Sequence, residues 1–249
     1  MDLGLDGKVA IVTGASRGLG AAAVEALVAE GALVLAAART TEALEKLQAT
    51  APERIAVATV DMRDADAVGA LADLAVERFG RLDIVVNNAG IAPAGKFSAQ
   101  PQTEWDEVFA VNVAAPAVLA RAAGKHFLAQ RSGKVINIAS TSGINGKPIL
   151  VSYSASKGAL VQFTKALGAE WAPFGIQVNA IAPGAFTTDA QAAVTGDPSM
   201  LERRLRKIPA GRMADPAEFG PLVCYLASPL SDFVNGSVLV IDGGEVTKL

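Results

Sequence analysis

The sequence predicts a single α/β domain built on a doubly wound, mostly parallel Rossmann-type sheet with helices on both faces. Short apolar runs alternate with segments of helical length throughout the 249 residues, and no linker or low-complexity segment divides the chain. Parallel strands need a crossover connection, which a helix of about 10–15 residues provides. A chain of this length also falls within the range of one α/β domain, here residues 1–249.

The first unit consists of a strand over residues 8–13, a glycine-containing turn and a helix over residues 18–30. The same alternation of a short apolar run and a longer stretch then repeats. Further strands are predicted at residues 33–37, 55–60, 83–87, 134–139 and 176–181. Further helices are predicted at residues 41–50, 65–79, about 104–130 and about 152–172. Many strand runs are almost continuously apolar, as expected when helices cover both faces of a parallel sheet.

Residues 187–209 form the least regular stretch, where small, polar and charged residues follow Pro183 and Gly184. Open α/β sheets bind ligands beyond the carboxyl ends of their strands. We therefore predict a helical flap over the substrate here, and a solvated surface excursion is the alternative. The charged run 202–207 inside this stretch fits either a solvated helix face or a surface that attracts an acidic substrate.

Composition and charge disfavour several classes of protein. The net charge of -3 and the pI near 5.3 give no basis for binding a polyanion, so no nucleic-acid partner is expected. Cys224 and His126 are the only residues of their types, which argues against an internal disulfide and a His-rich metal site. We expect His126 at the surface and Cys224 in the core. Without a signal-peptide pattern or an apolar run of membrane-spanning length, a cytoplasmic protein with no membrane contact is expected.

The turn after the first strand reads Thr13-Gly14-Ala15-Ser16-Arg17-Gly18-Leu19-Gly20. Backbone N–H groups and the N-terminus of the following helix could receive a pyrophosphate there. The predicted cofactor-binding residues in this turn are Gly14, Ser16, Arg17, Gly18, Leu19 and Gly20. Two alternatives are a tight turn without a ligand and the Gly-x-Ser-x-Gly elbow of a serine hydrolase, for which His126 would be the only histidine available.

The end of the second strand bears on the choice of cofactor. NAD-binding domains usually place Asp or Glu about 20 residues after the glycines, where it binds the ribose. This chain instead has Ala38 followed by Arg39, with Arg17 in the turn. Two guanidinium groups suit a 2′-phosphate, so NADP(H) is favoured and NAD(H) remains possible. Two ordinary surface arginines are the alternative.

Tyr153 and Lys157 lie four residues apart at the start of a predicted helix, and therefore on one face of it. A phenol is a poor base at neutral pH, but a neighbouring ammonium stabilises the phenolate and lowers its pKa. Ser140, at the end of the preceding strand, could bind the substrate oxygen beside Tyr153. The spacing of Tyr153 and Lys157 alone fits an exposed tyrosine beside a solvated lysine equally well.

Together these residues resemble the short-chain dehydrogenase/reductase family, in order along almost the whole chain. The resemblance rests on the glycine turn, Asp61, Asn87-Asn88-Ala89-Gly90, Asn112, Ser140, Tyr153-x-x-x-Lys157, Pro183-Gly184 and Val240-Ile241-Asp242-Gly243-Gly244. It implies an oxidoreductase that moves a hydride between a nicotinamide and a carbonyl or secondary alcohol. Tyr153 would be the acid/base, assisted by Asn112, Ser140 and Lys157.

The resemblance also implies contacts with the cofactor. Asp61, with Met62 beside it, would meet the adenine, and Asn88, Ala89 and Gly90 would lie beside the adenosine ribose. The residues expected around the nicotinamide fall within 181–188 and include Pro183, Gly184, Phe186 and Thr188. Tyr153 and Lys157 would also contact the cofactor, Lys157 through the nicotinamide ribose hydroxyls. Asn112 would help to hold a water for a proton relay to Lys157.

The sequence gives less information about the oligomeric state and the substrate than about the reaction. The resemblance implies a homotetramer built through the helices around Asn112 and Tyr153 and the C-terminal strand. Residues 208–212, 233–236 and 242–244 are similar to those of reductases acting on sugar acids, polyols and 3-oxoacyl thioesters, without selecting one small-molecule substrate. A regulatory protein that binds a dinucleotide without chemistry is the alternative function.

Overall fold

The computed structural model, which describes residues 2–248, contains one seven-stranded sheet in which all neighbouring strands are parallel. The strands are β1 Val9–Thr13, β2 Leu33–Ala38, β3 Ile55–Thr59, β4 Ile84–Asn87, β5 Gly133–Ile138, β6 Ile176–Pro183 and β7 Val238–Ile241. The predicted single-domain α/β fold is confirmed. The first six strands begin and end within two residues of the predicted ranges, and β7 was expected through the family resemblance.

The strand order is β3-β2-β1-β4-β5-β6-β7, so the direction of chain growth reverses between β1 and β4. The chain adds β2 and β3 on one side of β1 and then returns to place β4 on the other side. Loops that leave β1 and β4 therefore diverge at the carboxyl edge of the sheet. The crevice at such a reversal is where open α/β sheets bind ligands.

The helices cover both faces of the sheet, as predicted. They are α1 Gly18–Ala29, α2 Thr41–Thr50, α3 Ala65–Phe79, α4 Gln102–Phe109, α5 Ala115–Gln130, α6 Val151–Trp171, α7 Ala192–Thr195, α8 Pro198–Leu205 and α9 Gly220–Ala227. The irregular stretch 187–209 contains two of them, α7 and α8, after a short 3₁₀ turn at Asp189–Gln191. The expected helical content of this stretch is confirmed, whereas its function as a flap stays a prediction.

The core consists of two apolar clusters, one on each face of the sheet. Every residue of β1 is buried, so this strand contributes to both. Ala10 and Val12 belong to one apolar cluster, which includes residues of α1 and α9. Val9 and Ile11 belong to the other, which includes residues of α3 and α5. This alternation explains the nearly continuous apolar runs in the sequence, since neither face of the strand meets water. Cys224 is buried in the first cluster, as expected.

One continuous helical segment, Gln102–Gln130, is long and apolar enough to cross a membrane by length and composition alone. This segment departs from the expectation that the chain has no apolar run of that length. Half of its most apolar window is buried inside the protein, where α5 supplies Leu119, Ala123 and Phe127 to the core. Packing against the sheet therefore accounts for its apolar character. A π-helical turn, Ala110–Ala114, separates α4 from α5 within this segment.

Candidate active site

The glycine turn between β1 and α1 lies at the crevice, and its glycines permit a close approach of chain segments. Gly14 and Gly18 have φ angles of 65° and 56°, a region that disfavours residues with a side chain. A β-carbon on Gly14 would lie 2.8 Å from the Cα atom of Ala89, and one on Gly20 would lie 2.2 Å from the carbonyl oxygen of Gly14. Side chains are thus excluded at Gly14 and Gly20.

The start of α1 offers its backbone to an anion. Arg17 precedes the helix in an extended conformation and makes no side-chain hydrogen bond to the first turn. The first N–H groups of an α-helix have no partners within the helix, so they remain available to a ligand. Ser16 and Leu19 are partly exposed in the same turn. The predicted residues therefore lie together in the turn and in the first residues of α1, where free backbone N–H groups can receive an anion.

Asn88 fixes the position of this loop relative to β4. Its Nδ2 donates to the carbonyl oxygens of Thr13 and Gly14 at 2.9 and 3.1 Å. The Thr13 hydroxyl in turn accepts from the backbone N–H groups of Asn88 and Ala89, each at 3.1 Å. The carboxyl ends of β1 and β4 are consequently joined at the point where the strand order reverses.

Two arginines lie free at the end of the crevice where β2 finishes. Arg17 and Arg39 are both exposed, and neither forms an ion pair with any residue in the range 2–248. Ala38, the last residue of β2, directly precedes Arg39. It is buried and offers no carboxylate. This part of the crevice therefore carries positive charge available to an anionic group.

Asp61 lies at the same end and is held by a residue that the sequence analysis did not consider. Both carboxylate oxygens of Asp61 accept from the Arg63 guanidinium, at 2.5 to 3.0 Å, and Arg63 also donates to Glu107 at 3.2 Å. Hydrogen bonds from Arg63 lower the pKa of Asp61 to about 2, and the charge of Arg39 adds to the effect. The Asp-x-Arg spacing could have indicated this pair. Met62 between them is buried with its side chain in the core.

Tyr153 and Lys157 project from the first turns of α6 in the predicted arrangement. The Lys157 ammonium is buried and donates to the carbonyl oxygen of Ile138, the last residue of β5, at 2.7 Å. It lies 5.8 Å from the centre of the Tyr153 ring. Burial lowers the pKa of Lys157 to about 8. The lysine is therefore part of the interior of the protein and is not the solvated lysine of the alternative interpretation.

The expected lowering of the Tyr153 pKa is wrong for this structure. Burial raises the pKa of the phenol, and a hydrogen bond with Ser140 opposes that shift only in part. The cause is desolvation, which disfavours the phenolate, while the Lys157 ammonium is directed to Ile138. Ser140 Oγ accepts from the backbone N–H of Ser142 at 3.1 Å, which leaves the serine hydroxyl hydrogen free to donate. Ser140, Tyr153 and Lys157 are thus brought together with the tyrosine in its neutral form at neutral pH.

Asn112 lies in the π-helical turn and is fully buried. Its side-chain amide makes a two-point contact with the backbone of Ile91, with both distances 2.9 Å, and donates to Ser156 Oγ at 3.0 Å. A β-carbon on Gly90 would lie 3.2 Å from Asn112 Oδ1 and 3.4 Å from Lys157 Nζ. The absence of a side chain at Gly90 therefore leaves space that faces both polar atoms.

Residues after β6 border the opposite end of the crevice. Pro183 ends the strand, and a β-carbon on Gly184 would lie 2.6 Å from the β-carbon of Asp242. Thr188 lies over the glycine turn, since its methyl group would be 3.4 Å from a β-carbon on Gly18. The Phe186 ring instead packs edge-on against a core phenylalanine, Phe219, with ring centres 6.0 Å apart. The Phe186 ring is thus part of the core.

Among residues 2–248, the one histidine that the serine hydrolase alternative could use is paired elsewhere. His126 lies near the C-terminal end of α5. Its ring pairs with Asp73 of α3 at 2.9 Å. Within residues 2–248, no three His, Cys, Asp or Glu side chains converge to hold a metal ion.

Comparisons with known proteins agree with this geometry. Residues 14–245 match a family model of the short-chain dehydrogenases/reductases that is described as enoyl-(acyl carrier protein) reductase. The chain is 39% identical over 248 residues to 2-dehydro-3-deoxy-D-gluconate 5-dehydrogenase of Escherichia coli, covering 98% of this chain and 97% of that protein. It is 32% identical over 242 residues to 3-oxoacyl-[acyl-carrier-protein] reductase of Vibrio cholerae, covering 97% and 98%. A crystal structure described as a putative NAD(P)-dependent gluconate 5-dehydrogenase from Beutenbergia cavernae, with bound NADP at low occupancy, aligns over 100% of both chains with a TM-score of 0.93 and 35% identity.

The lowered pKa of Lys157 predicts a pH dependence of stability. The pKa of a lysine in the unfolded chain is about 10.4. Burial lowers the pKa of Lys157 in the folded chain to about 8. Between these values the unfolded chain binds more protons than the folded chain, so the free energy of unfolding rises with pH. Burial of the charged Lys157 lowers the free energy of unfolding by its full amount below about pH 8. This penalty disappears above about pH 10.4.

Urea unfolding of the cofactor-free protein and of Lys157→Met across this pH range tests the prediction. As the pH rises from about 8 to about 10.4, the free energy of unfolding of the wild type should increase relative to that of Lys157→Met. The reason is that methionine carries no titrating charge. Parallel pH profiles for the two proteins would show that Lys157 is solvated rather than buried.

Proposed function

The chain belongs to the short-chain dehydrogenase/reductase family, and we propose that it is an NADP(H)-preferring enzyme that interconverts the keto and hydroxyl groups of a sugar acid. The observation that carries this proposal is the cluster of buried Ser140 and Lys157 with half-buried Tyr153, at the crevice beside the glycine turn. The choice of sugar acid is supported by the names of the E. coli relative and of the B. cavernae structure. We also expect the protein to be cytoplasmic.

A bound nicotinamide dinucleotide would supply or accept the hydride in this reaction. During reduction, the neutral phenol of Tyr153 gives its proton to the carbonyl oxygen of the substrate. Its raised pKa favours this protonated form at neutral pH. The Ser140 hydroxyl, which accepts from Ser142, donates its hydrogen to the same oxygen and stabilises the charge that develops there. Oxidation uses the same groups in reverse.

Lys157 would hold the ribose next to the nicotinamide and support the tyrosine. An ammonium has three N–H donors, and the bond to Ile138 occupies one of them. The other donors remain for the ribose hydroxyls and for the proton relay. The Ile138 contact directs the ammonium into the crevice and keeps it one helical turn from Tyr153.

We propose that a relay water occupies the space beside Gly90. Asn112 Oδ1 and Lys157 Nζ both lie close to Gly90, because a β-carbon on that residue would be 3.2 and 3.4 Å from them, so a water next to this glycine would have both polar atoms as neighbours. Both amide hydrogens of Asn112 are already used on Ile91 and Ser156, so its remaining acceptor lone pair is the part available to a water. The water would return to Lys157 and Tyr153 the proton that reduction consumes.

The adenosine end would bind the 2′-phosphate of NADP(H) through Arg17 and Arg39. Both guanidinium groups are exposed and without ion-pair partners in the described chain, residues 2–248. Asp61, although a carboxylate, is paired with Arg63, which limits its repulsion of the phosphate. Residues 187–209 would close over the substrate, because Thr188 at their start already overlies the glycine turn.

A 3-oxoacyl thioester is the second candidate substrate. The name of the V. cholerae relative favours it. Initial rates of NADPH oxidation with 5-keto-D-gluconate and with a 3-oxoacyl thioester separate the two proposals. Absence of turnover with both and with other ketones would favour the regulatory, non-catalytic alternative.

Tyr153→Phe should reduce kcat by several orders of magnitude and leave the Kd for NADPH nearly unchanged, because only the chemical step needs the phenolic proton. Tyr225→Phe is the matched control, since Tyr225 is the only other tyrosine in the chain and lies on α9. Steady-state rates and cofactor fluorescence titrations provide both quantities. Retention of more than about a tenth of the activity by Tyr153→Phe would rule out the acid/base assignment.

Arg39→Ala should weaken NADPH binding about 10- to 150-fold and leave NADH binding almost unaltered, because one charge-assisted hydrogen bond to the phosphate is lost. Ala38→Asp should reverse the preference by repelling the phosphate. The measurement is kcat/KM for both cofactors at one ionic strength, because salt screens these contacts. Arg78→Ala, an exposed arginine in the last turn of α3, serves as the control. A wild-type preference for NADH would contradict the phosphate contact.

We propose that the protein assembles as a homotetramer. Apolar side chains are exposed near the C-terminal strand, including Phe233 and Val240, and burial between subunits would remove them from water. Light scattering at micromolar concentration should give four times the 25.4 kDa of one chain. A mass equal to one chain would contradict this assembly.

A further inference from the structure

Three distant parts of the chain meet in a charged cluster that we call the Lys147 cluster, composed of Lys147, Arg204 and Glu245. Arg204 lies on α8, and it donates to both carboxylate oxygens of Glu245, at 2.5 and 2.7 Å. Lys147 Nζ lies 3.5 Å from one of these oxygens. The exposed fractions of the three side chains are only 30%, 19% and 11%, in the order Lys147, Arg204 and Glu245. Such burial is uncommon for charged side chains on a solvated helix face.

The cluster adjoins the reacting groups. Lys147 Nζ donates to Thr141 Oγ1 at 3.2 Å, and Thr141 directly follows Ser140 in the chain. The backbone N–H of Lys147 donates to Ser154 Oγ at 3.3 Å, and Ser154 directly follows Tyr153. Lys147 is therefore hydrogen-bonded to the residue after Ser140 and to the residue after Tyr153. Ser140 and Tyr153 are the two residues that would hold the substrate oxygen. A substrate of a few carbons with its carbonyl beside Ser140 could extend toward this ammonium.

The cluster has more positive than negative charge. Two cations share the single carboxylate of Glu245, and Lys207 adds a further positive charge that acts on Lys147. The nearby Asp242 carboxylate is used by the backbone N–H groups of Gly244 and Val246. Hydrogen-bond donors also remain. Lys147 uses two of its three N–H groups, at long distances, and a guanidinium has five donors.

We propose that Lys147 and Arg204 bind the carboxylate of the sugar-acid substrate, and that Glu245 positions these two side chains. This inference rests on the proposed function and adds the residues that distinguish an acid from a neutral sugar. A bound carboxylate would balance the excess charge of the cluster and accept the unused donors. It would also link the substrate to α8, and thereby couple substrate binding to the position of residues 187–209.

The test compares two substrates that share a carbon chain. 5-Keto-D-gluconate carries a carboxylate where L-sorbose carries a hydroxymethyl group, and both present a keto group for reduction. The measured quantity is the ratio of kcat/KM for the acid to kcat/KM for L-sorbose. In Lys147→Met this ratio should fall about 10- to 150-fold, as expected for the loss of one charge-assisted hydrogen bond. The loss should appear in KM for the acid rather than in kcat.

Two further variants keep the result interpretable. Lys147→Arg retains the charge and should recover most of the ratio, which a purely structural role of lysine packing would not require. Arg206→Met, on the neighbouring exposed arginine that pairs with Glu202, should leave the ratio unchanged. Thermal melting verifies that each variant is folded.

An equal loss of kcat/KM for both substrates in Lys147→Met would overturn the carboxylate assignment and show that the cluster only supports the fold. An unchanged ratio would overturn it as well. If the wild type itself failed to reduce 5-keto-D-gluconate while reducing a 3-oxoacyl thioester, the proposed substrate class would fail first, and the carboxylate assignment with it.

Discussion

The hydrogen bond between the Lys157 ammonium and the Ile138 carbonyl oxygen is the contact on which the site depends. Placing an ammonium in the interior is costly unless it is paired or hydrogen-bonded, and the lowered pKa of Lys157 reflects that cost. The bond joins the carboxyl end of β5 to α6, so it fixes the helix that carries Tyr153. The same ammonium borders the space beside Gly90. A buried charge that is incompletely compensated here is consistent with a site that binds a polar ligand.

A second constraint is the reversal of strand order between β1 and β4. It opens the crevice, and Asn88 then holds its two sides together through Thr13 and Gly14. The glycines of the turn are needed because Ala89 and the turn's own carbonyl oxygen leave no room for side chains. The crevice therefore has a floor of closely packed backbone atoms, with exposed arginines at one end and Thr188 over the glycine turn.

Local sequence patterns predicted the features that depend on local geometry. Strand positions followed from apolar runs, the turn from glycine spacing, and the common face of Tyr153 and Lys157 from their separation of four residues. The direction of the Tyr153 pKa shift was wrong because it depends on burial by distant elements, which spacing does not reveal. Packing by distant elements also determines the position of the Phe186 ring, which lies against Phe219, and no local pattern indicates that contact. The contact of Lys147 with Glu245 spans 98 residues and has no periodicity to announce it.

The central claim is that this site transfers a hydride directly between a nicotinamide and the keto carbon of a sugar acid. It is tested by following 5-keto-D-gluconate reduction with NADPH that carries deuterium at both C4 positions, with the product analysed by mass spectrometry and NMR. We expect one deuterium in each product molecule, bound to the carbon that was the keto carbon, and a slower rate than with unlabelled NADPH if hydride transfer limits turnover. A product formed without deuterium at that carbon would contradict the account.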